Sequence, residues 1–391
     1  MSHWTAAPNA AVVLLGAAVV AATCLSAITT VVVPRGVRLR LTRIVFVYVR
    51  KVFEFRGRFA DTYEERDRAM ALYAPLSLII LPVVWETIVL GGYTAMFWGL
   101  GIRPLREAFM TSGSSLLTLG FARAPDVPTT VVAFTEALVG LVLLALLITY
   151  LPTMYSAFSR REAQVALVAI FAGQPPSAIE LILRFWILED IDHLETELWV
   201  PWTSWFVELE ETHTSLSALP FFRSNQPDRH WITAAGVVLD SASLLASAVD
   251  VPRSPPAELC IRSGYLALRS IAAFFGFPFD PDPRPDDPIS VTRDEFDAAY
   301  DQLAAQGVPM RRDRDQAWRD FAGWRVNYDV VLVSLAGFLM APYAPWVSDR
   351  SPVWVPAPGP RGRPTLRGAL RRLRRRGRWP APVPTGGRSA R

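Results

Sequence analysis

Two cysteines in 391 residues, Cys24 and Cys260, are too few and too far apart for a disulfide framework or a zinc site. The signatures of several enzyme classes are missing as well. No Gly-x-Gly-x-x-Gly follows a strand-like run, no Walker loop occurs, and no Ser-His-Asp set or paired acid is legible. A nucleotide-binding regulatory domain is therefore not expected. Strictly alternating polar and apolar runs are absent, which points to an all-α chain. The leader MSHWTAAPNA holds no basic residue, so the apolar run behind it reads as an uncleaved anchor and not as a signal peptide.

What the chain does have is apolar length. Hydrophobic residues make up 51% and the mean hydropathy is +0.24, which predicts a membrane part joined to a sizeable soluble part. Ala11–Val33, Ala74–Leu100 and Thr129–Leu151 are each long enough for a bilayer core, which needs about 20 residues. Between Arg35 and Arg58, behind the first run, eight basic residues (Arg35, Arg38, Arg40, Arg43, Arg50, Lys51, Arg56 and Arg58) stand against a single acid, Glu54. Such a segment stays cytoplasmic. Its apolar residues Ile44, Val45, Val47, Val49, Val52 and Phe53 predict a helix lying along the inner membrane surface. The expected topology is a multi-pass plasma-membrane protein with its N-terminus outside and its C-terminus cytoplasmic.

The loop between the second and third runs carries the most specific signal. Pro104 opens a helical stretch to Leu117, as a proline without a donor does well in a first turn. Thr118-Leu119-Gly120-Phe121-Ala122 follows, with Ser114 and Ser115 just before it and Glu136-Ala-Leu-x-Gly140 opening the next run. This set resembles the two-span, one-pore-loop potassium-channel family, whose signature is Thr-Val-Gly-Tyr-Gly. The resemblance implies three transmembrane helices, a re-entrant pore helix and a filter. Oxygens of Thr118, Leu119, Gly120 and Phe121 would replace the water around potassium or another monovalent cation. One loop supplies a quarter of such a filter, so a homotetramer is implied. Ala122 stands in place of the last glycine, where a left-handed L-residue costs roughly 1–2 kcal/mol. Phe121 lacks the tyrosine hydroxyl, and Arg123 replaces an aspartate at the mouth.

Other membrane residues fit around this frame. Glu86 is costly in a span and is expected to face protein, bracing the pore helix through Ser112 or Thr111, or to act as an interhelical carboxylate without a role in conduction. Glu136 is assigned a structural role. Gly140 and Pro152 sit at gate positions of the resembled family, as bending points of the inner helix. Gly91 and Gly92 are read as close-packing residues.

From 159 to 350 the periodicity is helical, over Glu180–Trp199, Leu239–Val249, Leu259–Phe275, Arg293–Gln306 and Arg314–Met340, with proline-rich loops at 251–257 and 278–288. Trp231–Val249 reads as core. Tyr328–Val347 is apolar enough for a fourth span, but Asp329 and two prolines argue against one. Asp190, Asp192, His193 and Glu197, and His213 with Glu210 and Glu211, are read as solvated helix faces and not as metal sites. Residues 361–391 hold eleven arginines and no acid, which suits anionic lipid better than nucleic acid. The expected organisation is an anchor (1–33), a basic interfacial segment (34–73), a pore domain (74–158), an all-α cytoplasmic domain (159–350) and a basic tail (351–391). The expected function is cation conduction and not catalysis, with no cofactor. A non-conducting scaffold or sensor, or a membrane-anchored enzyme with its site in 159–350, are the alternatives.

Overall fold

The structure, a computed structural model, describes residues 9–31, 40–57, 59, 62–188 and 191–350. The basic tail and Asp190 lie outside the described residues. The chain is helical throughout: α1 (Ala10–Val31), α2 (Arg40–Gly57), α3 (Tyr63–Ala71), α4 (Tyr73–Gly99), α5 (Leu105–Leu116), α6 (Val127–Ala172), α7 (Ala178–Ile187), α8 (Val200–Ser215), α9 (Trp231–Ala248), α10 (Pro255–Phe275), α11 (Arg293–Ala305), α12 (Arg314–Arg325) and α13 (Asp329–Leu339). No strand occurs among the described residues; Val249 and Met310 form an isolated antiparallel bridge. Two compact units result, Met1–Phe158 with Ser215–Phe222, and Ser159–Thr214 with Arg223–Arg391. Residues 215–222 thus belong with the first unit, where Ala218 and Leu219 pack against Leu78, Tyr150 and Met154.

Four helices, α1, α4, α6 and α9, are long and apolar enough to cross a membrane. Burial separates them. Of the apolar stretch of α9, 94% is buried, whereas of that of α6 only 17% is. A helix covered on every side by protein is a core helix, so α9 is the centre of the second unit. The first three leave apolar sides uncovered, as a lipid-facing helix must. At 46 residues α6 is about 70 Å long, more than twice a hydrocarbon core. It continues through Pro152 without interruption.

In the first unit α1 lies antiparallel on α4 through Gly16, Val20, Thr23 and Ala27. The Asn9 amide donates to the Gly99 carbonyl at 2.7 Å. A Cβ on Gly16 would stand 2.5 Å from the Gly92 carbonyl oxygen, and one on Gly92 would stand 2.7 Å from Val20. Nothing lies within 4 Å of a Cβ on Gly91. Close packing is therefore the role of Gly92 but not of Gly91. Gly16→Val is expected to destabilise the α1–α4 seam by about 1–3 kcal/mol, because backbone must move. Gly91→Val should cost only a small propensity penalty. Thermal unfolding of the two variants in detergent compares them directly; equal midpoints would remove Gly16 from the seam.

The second unit packs α7, α10, α12 and α13 around α9. Two sequence-predicted helices are broken. Glu180–Trp199 ends its regular helix at Ile187 and resumes in short 3-10 and π turns before α8. Arg314–Met340 breaks after Arg325, so that Arg325 turns inward between Asp240 of α9 and Asp329. Of the prolines expected in a loop at 251–257, Pro252 lies in one, whereas Pro255 and Pro256 fill the first turn of α10, capped by Ser254, where no donor is needed.

His213 corrects another expectation. It is not on a solvated face but fully buried, with Nε2 accepting from Arg161 at 3.4 Å and the ring edge-on to Trp231. His230 is buried too and caps α9, its Nδ1 accepting from the Ile232 amide at 3.2 Å. Burial, then the charge of Arg161, pushes His213 well below the ordinary histidine range; burial, then Arg223 and Arg161, does the same for His230. The unfolded chain binds protons on both rings below about pH 6.5, while the folded unit does not. Stability is therefore fully present above that pH and falls as the medium is acidified, by up to about 1.4 kcal/mol per pH unit for each proton. Denaturant midpoints at pH 7.5 and 5.5 measure this slope. A His213→Gln, His230→Gln double variant should flatten it, and an unchanged slope would assign the acid sensitivity elsewhere.

Candidate functional site

The site is built on α5 and the ten residues that follow it. α4 ends in a Schellman turn: the Ile102 amide donates to Phe97 O at 3.0 Å, the Gly101 amide to Trp98 O at 3.2 Å, and Gly101 takes φ +105°. The chain thereby reverses, and α5 runs back beside α4 from Pro104. Its buried residues Ala108, Thr111, Ser112, Ser114 and Leu116 face inward. Ser112 lies against the Leu90 carbonyl of α4, and Leu116 O lies 2.4 Å from where a Gly140 Cβ would be. Gly140 is the fourteenth residue of α6, so the end of α5 reaches about 20 Å down that helix. The missing side chain of Gly140 serves this contact.

α5 ends in a second Schellman turn. The Leu119 amide donates to Ser114 O at 2.8 Å and the Thr118 amide to Ser115 O at 3.1 Å. The left-handed position after the cap, usually glycine, is Thr118, at φ +55°. Gly120 is also left-handed, at φ +72°, while Leu119 and Phe121 are not. Ala122 is not left-handed either, so the strain expected at Ala122 falls instead on the β-branched Thr118. The helix hydrogen-bond register, and not the resemblance, sets that position.

Ser114 organises the loop. Its carbonyl accepts from both Leu119 and Gly120, and its buried hydroxyl accepts from the Ala122 amide at 3.0 Å. Three N–H groups are thus turned toward one residue. Among the described residues, no hydrogen bond is made to the carbonyl oxygens of Thr118, Leu119, Gly120 or Phe121. Leu117, Leu119 and Phe121 are 54%, 60% and 57% exposed, which leaves an apolar edge uncovered. Arg123 is exposed.

The carboxylate that meets α5 is Glu136, not Glu86. Ser112 Oγ is 2.5 Å from Glu136 Oε1 and 3.1 Å from Leu90 O, so one hydroxyl joins α4, α5 and α6. Glu136 is fully buried, and its Oε2 has no hydrogen-bond partner. Glu86, half-buried, sits one turn before Leu90 and reaches neither Ser112 nor Thr111. Thr111 and Ser115 bond within their own helix, to Glu107 O and Thr111 O. Nothing local in the sequence announces the Ser112–Glu136 pair, whose members are 24 residues apart. Pro152 lies far down α6, away from this cluster. In the second unit no group of three or more metal-binding side chains occurs among the described residues. His193 and Glu197 are exposed there. No family model, curated protein or solved structure matches this chain.

Proposed function

We propose that this protein is a cation pore of potassium-channel type, formed by four copies whose Thr118–Ala122 segments surround one axis. The carrying observation is the division of the loop's polar groups: amides gathered on Ser114, carbonyl oxygens of Thr118 to Phe121 left without internal partners. A dehydrated monovalent cation is the ligand such oxygens suit. The C-terminal end of α5 adds the negative pole of a helix dipole at the same place. The uncovered edge of Leu117, Leu119 and Phe121 suits contact with neighbouring copies. In this reading α5 is the pore helix, Ser114 and Ser115 support it, and the Ser112–Glu136 pair fixes its depth between α4 and α6. Glu86 faces a neighbouring copy or water, and Pro152 is the gate bend below the Gly140 contact. The basic 34–58 region and the Arg-rich tail place both on the cytoplasmic side, the tail against anionic lipid.

Purified protein in liposomes under a potassium gradient tests the reading. Expected is cation flux that survives exchange of the anion and differs between potassium and sodium. Absence of flux from properly inserted protein, across membrane voltage and pH, would leave the non-conducting scaffold.

A further inference from the structure

Helix α2 has two apolar faces and only one of them is covered. Val45, Phe46 and Val49 pack into the core of the first unit, beside the buried Arg50, which is paired with Glu54 at 2.6 Å. On the other side Ile44, Tyr48, Val52 and Phe55 are exposed, as is Phe59 just beyond. At 3.6 residues per turn the four helix positions Ile44, Tyr48, Val52 and Phe55 fall within about 80° of one another, so they form one stripe.

The position of α2 says what borders that stripe. Thr42 Oγ1 lies 2.9 Å from Thr30 Oγ1, in the last turn of α1. The Tyr73 hydroxyl donates to Phe46 O at 3.3 Å, and the rings of Phe46 and Phe53 stand edge-on to Tyr73, the first residue of α4. α2 therefore crosses the adjoining ends of two apolar, bilayer-length helices. That is the level at which hydrocarbon gives way to water.

Charge selects the occupant. Lys51 is exposed at the edge of the stripe, with its Nζ 5.5 Å from the Tyr48 ring centre, and Arg56 and Arg43 are exposed to either side of it. A second copy of this face would oppose cation to cation, and the Arg-rich tail would be repelled in the same way. A phosphate-bearing anionic surface is attracted, while tyrosine and phenylalanine suit the headgroup level. We propose that Ile44, Tyr48, Val52 and Phe55 insert at the headgroup–acyl boundary of an anionic phospholipid leaflet, with Arg43, Lys51 and Arg56 holding the headgroup phosphates. This interface is independent of the pore reading, since neither the loop nor conduction enters it.

The test uses the full chain with Cys24→Ala and Cys260→Ala, carrying one environment-sensitive label at Tyr48→Cys, Val52→Cys or, as a water-facing control, the exposed Glu64→Cys. Vesicles contain phosphatidylcholine with or without phosphatidylglycerol, and either lipid can be acyl-brominated as a quencher. Labels at 48 and 52 should be quenched by brominated acyl chains at least twice as strongly as the label at 64, and shielded from aqueous iodide. Brominated phosphatidylglycerol should quench more than the same fraction of brominated phosphatidylcholine. The preference should vanish in Arg43→Gln, Lys51→Gln, Arg56→Gln protein, each cation accounting for up to roughly fivefold local enrichment. Iodide access equal to that at 64 overturns the interface, as does energy transfer showing position 48 of two copies in contact. Equal quenching by the two lipids in protein with all three cations overturns the phosphate assignment without reference to the variant. Flux measurements play no part, so failure here and failure of the pore reading remain distinguishable.

Discussion

Arg325→Leu is expected to destabilise the second unit by about 3–5 kcal/mol, the cost of breaking a buried ion set by removing one partner. The Arg325 side chain is fully buried between two acids. Its Nε donates to Asp329 at 2.8 Å, one terminal nitrogen donates to Asp240, and the other to the Trp346 carbonyl. The acids are held from outside as well: the Tyr328 hydroxyl donates to Asp240 at 2.9 Å, and Ser290 donates to Asp329 through its amide and its hydroxyl. Leucine would leave Asp240 and Asp329 buried, close together and without a cation. Denaturant unfolding of the full-length protein in detergent, followed by tryptophan fluorescence, reads the loss. Replacing all three charges with apolar residues should cost much less, since no lone charge then remains. A loss below about 1 kcal/mol for Arg325→Leu would show that the network does not fix this unit.

This network explains why some of the fold was legible in the sequence and some was not. Long apolar runs announce α1, α4 and α6, because lipid-facing helices need about 20 apolar residues and tolerate few charges. The same criterion admits α9, and Asp240 with the serines Ser241, Ser243 and Ser247 within it hints that protein surrounds it. The break at Val326–Tyr328 is invisible locally, because its cause is the burial of Arg325 and Asp329 against a helix some 85 residues earlier in the chain. His213 misleads for a related reason: its neighbours Glu210 and Glu211 suggest a wet face, while Arg161 and Trp231 enclose the ring from other elements. In the loop, residue types are readable but partners are not. Ser114 and Ser115 mark a small-hydroxyl stretch; that Ser114 gathers three amides, that Ser112 selects Glu136 over Glu86, and that Thr118 takes the left-handed position all follow from how α5 packs against its neighbours.

Gly120→Asp is expected to abolish cation flux, by at least about two orders of magnitude, while leaving membrane insertion intact. Gly120 sits at φ +72°, where an L-residue costs roughly 1–2 kcal/mol. A Cβ added there meets nothing within 4 Å of its own chain, so the monomer accommodates the side chain and the helices around it stay packed. Under the proposed tetrameric pore the effect arises where copies meet. Four loops around one axis would bring four carboxylates together at the oxygens meant for the ion, blocking the path and binding the cation too tightly to release it. Gly120→Ala separates strain from obstruction, because it carries the same backbone cost without the charge or bulk. Alanine should reduce flux partially and aspartate completely, with both proteins extracted and sedimenting like the parent. If Gly120→Asp protein conducts like the parent, residues Thr118 to Ala122 do not line the path, and the free carbonyl oxygens of this loop serve something other than an ion.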